Sequence, residues 1–133
     1  MTKHPESFRT RERGAAAVEF AIVLPLLLLL VFGIIEFGRG YEAKVQLTGS
    51  VREGARALAL GRTAAQAQQA VIDAAPGLNP PLTAANISTT PCPAGGADGN
   101  ATVTVTYDLP SLTPLVPGGS IGINVSGVMR CGL

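Results

Sequence analysis

Few side chains in this sequence could carry out chemistry. The single histidine, His4, lies near the N-terminus, and the two cysteines, Cys92 and Cys131, are far apart with no CxxC pair. Zinc therefore lacks a ligand set. A Ser–His–Asp or Cys–His arrangement would have to recruit His4, which a long apolar run separates from the rest of the chain. Between Pro76 and Met129 the only charged residues are Asp98 and Asp108, a carboxylate pair that nothing around it marks for acid–base work. The reading is that the chain is not an enzyme and takes no cofactor, no metal and no small-molecule substrate. Two other kinds of chemistry remain. The cysteines could be oxidised to a disulfide, and Glu19 places an ionisable group at the start of an apolar run, five residues after Gly14. A charge there is costly unless it finds a partner.

The composition narrows the partners. The formal charge of +1 excludes a broad basic surface, and the absence of Trp leaves few aromatics for stacking, so nucleic acid is not expected. The charge is uneven: residues 1–14 carry a net +2 through Lys3, Arg9, Arg11 and Arg13 against Glu6 and Glu12, and the rest carries a net −1.

Four segments position these residues. Residues 1–14 read as a polar, basic cytoplasmic leader. Residues 15–35 carry Glu19 as their only charge. As a helix rising about 1.5 Å per residue they span roughly 31 Å, enough to cross a hydrocarbon core. Pro25 removes a backbone donor and predicts a modest kink near Ala21. Residues 36–75 read as an amphipathic helical segment. Tyr41, Val45, Leu47, Val51, Ala55 and Leu58 form its apolar side, and Arg52, Glu53 and Arg56 form a solvated face with one i,i+3 ion pair. Glu36 is expected at the membrane edge, solvated or paired with Arg39. Thr63 can cap a second helix over Ala64 to Ala74, ended by Pro76-Gly77. Residues 76–133 change period. Alternation over Ala101–Tyr107 and Ser120–Met129 predicts two strands, Asn86–Thr90 a weaker third, and Gly/Pro-rich stretches the loops. The fold class is α+β: a long N-terminal transmembrane helix continuing into an amphipathic helix, then a small head with a short antiparallel β-sheet.

Three readings of the N-terminus compete. A conventional signal peptide would be cut near Gly38-Arg39-Gly40, although the apolar stretch is longer than a usual signal core. An uncleaved anchor is the second. The third explains more residues. Gly14-Ala15-Ala16-Ala17-Val18-Glu19-Phe20, preceded by Arg9, Arg11 and Arg13, resembles the type IV prepilin signal. In that family cleavage follows the glycine and the glutamate becomes the fifth residue of the mature chain.

The likeness extends through VEFAIVLPLLL, then Phe32-Gly33-Ile34-Ile35-Glu36-Phe37-Gly38-Arg39 and Arg52-Glu53-Gly54-Ala55-Arg56. Residues 14 to about 60 thus resemble the TadE-like family, pseudopilins of tight-adherence (Tad, or Flp) pilus loci. The resemblance implies a pilin-like layout and a Gly14–Ala15 cleavage site for a prepilin peptidase. It implies a role for Glu19 in meeting an N-terminal amine during assembly. A cut there would give Ala15 that amine, one helical turn from Glu19 and on the same face. Major pilins of this type are shorter after processing, which points to a minor component.

The expectation is a minor pilin or pseudopilin-like protein of the bacterial inner membrane, single-pass, with a cytoplasmic N-terminus and an exported head. Four Lys/Arg precede the apolar run and three follow it within residues 36–55, so the positive-inside bias behind that orientation is slight. Its partners would be the inner membrane, prepilin peptidase and other Tad/Flp components, a second pseudopilin among the candidates. Entry into the fibre, a place at its tip and retention in the membrane all stay open. The alternative is a secreted or membrane-anchored adhesive protein. In either case Cys92 and Cys131 form an even pair in a small exported head, the usual setting for a disulfide. A sheet that brings the first and last strands together would supply the proximity.

Overall fold

The computed structural model describes residues 8–95 and 98–132, with side chains from residue 12 onward. Helix α1 spans Phe8–Ala59 and α2 spans Ala64–Asp73. A short 3-10 turn, Ala84–Asn86, leads into strands β1 (Ile87–Thr90), β2 (Asn100–Pro110) and β3 (Ser120–Arg130). An apolar helix followed by a short helix and a three-stranded antiparallel sheet is the expected α+β arrangement with a pilin-like layout. The chain divides into two units, Met1–Ile35 and Glu36–Leu133.

In the first unit the helix starts at Phe8, within the stretch read as leader, and continues without interruption through Pro25. Among the described residues nothing covers its apolar side chains. Phe20, Ile22, Leu26 and Ile34 are all more than half exposed. So much uncovered hydrocarbon needs lipid or other helices around it, and α1 is long and apolar enough to cross a membrane.

The second unit is a two-layer structure with the sheet packed on helices. Along α1 the buried positions are Glu36, Ala43, Leu47, Ser50, Val51, Gly54, Ala55, Ala57 and Leu58, a stripe at helical spacing. This corrects the sequence reading, because Tyr41 and Val45 are 62% and 55% exposed and lie off that stripe. The true face is made largely of small residues, which lets neighbouring backbones approach. A methyl group at Gly54 would overlap Val71 of α2. One at Gly127 of β3 would sit 2.5 Å from the Val51 carbonyl oxygen.

Helix α1 is terminated by Gly61, two residues past its end, whose φ of +80° suits glycine. The Arg62 N–H donates to Ala57 O and the Gly61 N–H to Leu58 O, the paired bonds of a Schellman cap. Two residues later Thr63 caps α2 as expected. The Gln66 N–H donates to Thr63 Oγ1 and the Thr63 N–H to Gln66 Oε1, a reciprocal capping box. Ala67 and Val71 bury the inner side of α2.

The sheet order is β1-β2-β3, all antiparallel, with Ile87 opposite Val105 and Val105 opposite Val125. Alternation along β2 turns Ala101, Val103, Val105, Tyr107 and Leu109 into the core. Thr102, Thr104 and Thr106 face outward, where the Thr104 hydroxyl donates to Ser126 across the strands. The buried Tyr107 hydroxyl donates to Pro80 O at 2.7 Å, which satisfies its polar end.

Candidate functional site

Gly14, Ala15 and Glu19 all lie exposed on α1, and among the described residues nothing approaches Gly14 within 4 Å of where a Cβ would stand. Ala15 and Glu19 are one helical turn apart and share a face. The Gly14–Ala15 bond lies within α1. Glu19 stands among exposed apolar neighbours, with Val18 and Phe20 each 61% exposed. Among the described residues it has no ion-pair partner within 4 Å. Arg13 is exposed, whereas His4 and the side chains of Arg9 and Arg11 lie outside the described residues.

Glu36 is paired with Arg39, one of its two expected states, and is buried rather than solvated. It is only 5% exposed, although it directly follows the apolar run. Its Oε1 accepts the N–H of Leu112 at 2.6 Å, the N–H of Thr113 at 2.8 Å and the Thr113 hydroxyl at 3.1 Å. Arg39 Nη1 lies 3.3 Å from Oε2, the expected pairing, and also donates to Pro110 O. Burial alone would raise the Glu36 carboxyl. The bonds from Thr113 and Leu112 together with the Arg39 charge outweigh it and hold the group below the usual glutamate range. Glu36 thus fastens the loop between β2 and β3 to α1. The sequence holds little signal for this, because two of the three loop donors are backbone groups and all lie 76 or 77 residues away.

Beyond Arg39 the charged residues of α1 stay in solvent. Arg52, Glu53 and Arg56 are exposed as expected. The anticipated Glu53–Arg56 pair is not formed, since the one ion pair among the described residues is Arg39–Glu36. Asp98 and Asp108 are exposed near opposite ends of β2, too far apart to act as a carboxylate pair. Among the described residues no group of three His, Cys, Asp or Glu could hold a metal ion.

Cys92 and Cys131 form a disulfide, with Cα atoms 5.9 Å apart. The proximity arises differently from the expectation, because β1 and β3 are not neighbours and β2 lies between them. Both outer strands finish beside the start of β2, with Thr90 opposite Thr102 and Arg130 opposite Asn100. The bridge therefore joins the two outer strands across that end of the sheet. The Cys131 N–H extends the ladder by donating to Gly99 O at 2.9 Å.

An open groove of about 900 Å³ runs between α1 and β3, lined by Phe37, Tyr41, Val45, Ile121 and Ile123 with Lys44 and Arg52 among its polar residues. Phe37 and Tyr41 stack with ring centroids 6.5 Å apart.

Comparison with known proteins adds one finding. Residues 14–56 match the model of a family described as TadE-like protein. That is about a third of the chain, taking in Gly14, Glu19 and Glu36 and stopping short of α2 and the sheet. No curated protein and no solved structure matches the chain significantly.

Proposed function

We propose that this chain, TadE-like over residues 14–56, is a minor pilin or pseudopilin-like component that serves assembly of a tight-adherence pilus. It is a single-pass protein of the inner membrane with a cytoplasmic N-terminus and an exported C-terminal unit. It performs no chemistry of its own. A prepilin peptidase removes residues 1–14, and the freed amine of Ala15 and the carboxylate of Glu19 then lie on one helical face. Glu19 meets the amine of a neighbouring pilus component as the subunits dock. A charge in a poor solvent is tolerable once paired, and the search for that partner sets the register.

The observation that carries this reading is the position of Glu19. It is exposed, one turn from Ala15, at the head of an uncovered apolar segment that the family match includes. The Glu36 network supports retention of the helix. A conventional signal-peptide cut near Gly38-Arg39-Gly40 would discard the carboxylate that holds Leu112 and Thr113.

The test is Glu19→Ala as the only copy in a host with a tight-adherence locus. Membrane insertion should persist, because the change deletes an ionisable group from an apolar segment, while pilus-dependent adherence is lost. Normal piliation would contradict the proposal and favour a glutamate that merely reaches back to lipid headgroups.

A further inference from the structure

The loop between β2 and β3, residues 111–119, has the sequence SLTPLVPGG, with no charged side chain. Leu112 and Leu115 are 66% and 48% exposed. Apolar side chains on a loop tip of a small head need an explanation, and the Glu36 network supplies the location. Glu36 is the residue that follows Ile35, the last of the apolar run. Its carboxylate holds the Leu112 N–H at 2.6 Å and the Thr113 N–H at 2.8 Å. If residues 15–35 fill the hydrocarbon core, Glu36 stands at its boundary. The headgroup zone extends some 5 to 7 Å beyond, so the backbone of Leu112 lies inside it.

We infer that the loop carrying Leu112 and Leu115 is a second membrane contact, which inserts its leucines into the interfacial layer of the bilayer. The inference rests on the reading of residues 15–35 as a membrane span and is independent of any role in a pilus. The occupant is lipid because the contact continues one that the chain already makes. Pro114 and Pro117 contribute no N–H groups that a poorly hydrated layer would leave unsatisfied. Arg39, bound to Glu36 and to Pro110 O, keeps a partly exposed guanidinium at the same level for anionic headgroups. The stacked Phe37–Tyr41 pair, 76% and 62% exposed, begins one residue beyond Glu36, where an aromatic side chain suits the interface.

The chain contains no tryptophan, so a single one introduced by substitution reports its own surroundings. Full-length Leu112→Trp and Leu115→Trp would be reconstituted into vesicles of phosphatidylcholine and phosphatidylglycerol, with and without lipids brominated near the glycerol end of the acyl chain. Leu60→Trp is the comparison, since Leu60 is 65% exposed and just past the end of α1. It lies 24 residues beyond Glu36 in sequence, roughly 36 Å at the helical rise.

The inference predicts blue-shifted emission at 112 and 115 and quenching several-fold stronger than at 60. Unquenched emission at 112 and 115, or equal quenching at 60, would overturn it. Emission that is blue-shifted but insensitive to bromolipid would also overturn it, and would assign the leucines to a protein partner. Flotation of the same samples separates the two readings. A chain that fails to float overturns the span and the loop contact together, whereas a floated chain with unquenched tryptophan overturns the loop contact alone.

Discussion

Two glycines on opposite sides of the helix-to-sheet packing should respond differently to the same added methyl group. At Gly127 the methyl would meet Val51 O at 2.5 Å, Val51 C at 2.6 Å and Arg52 N at 3.0 Å. All three are main-chain atoms inside α1, so no side-chain rotation relieves the overlap and β3 must move away from the helix. Overpacking costs typically 1–3 kcal/mol, and an obstacle made of backbone places Gly127→Ala at about 3 kcal/mol. At Gly54 the methyl meets the Val71 side chain instead. Val71 is fully buried and β-branched, so it yields only partly. Replacing glycine by alanine inside a helix returns roughly 1 kcal/mol. Gly54→Ala should therefore cost about 1 kcal/mol net.

The assay is urea unfolding of the full chain in mild detergent, followed by the near-ultraviolet signal of buried Tyr107. With a slope of about 1.5 kcal/mol per M, Gly127→Ala lowers the midpoint by about 2 M and Gly54→Ala by less than 1 M. A Gly127→Ala protein as stable as the parent would refute the packing of β3 on α1. So would the reverse order of the two variants.

Two further outcomes follow from the same unit. The Glu36 carboxyl titrates below the ordinary glutamate value of about 4.3, so its contribution to stability is present above that value and is lost as pH falls through the folded-state value. The urea midpoint should drop in that acid window, and Glu36→Gln should flatten the dependence there; an unchanged pH profile would count against the network. Removing the disulfide through Cys92→Ser with Cys131→Ser opens a closure of 39 residues in sequence separation. That should cost about 4 kcal/mol at the upper end of the chain-entropy model, and thiol labelling of the denatured, unreduced parent should find no free cysteine.

The strands were legible in the sequence because the sheet has one buried face, so Val and Thr alternate from Thr102 to Thr106 with the period of the pleat. The cap at Thr63 was legible because a capping residue acts within one turn. The buried face of α1 was harder to see. Reading by large apolar side chains selects Tyr41 and Val45, whereas the packing selects Ala43, Ser50 and Gly54, whose small size admits β3 and α2. The disulfide pairing followed from the cysteine count, but its geometry depends on strand order, which local patterns do not encode. Glu36 was hidden most deeply. A buried carboxylate served by two loop N–H groups and one threonine hydroxyl leaves almost no side-chain signature at the donor end. At the N-terminus the reverse holds, since Gly14 and Glu19 are conspicuous in sequence and meet no described neighbour that would explain them.

The central claim, that Gly14 and Glu19 belong to a prepilin-type processing and assembly signal, is tested most directly by the intact mass and N-terminal sequence of the chain co-expressed with an active prepilin peptidase. The account predicts loss of residues 1–14, a mature chain that begins at Ala15, and no cleavage of Gly14→Val. An unchanged mass in the presence of active peptidase, or a mature chain that begins near Tyr41, would contradict it.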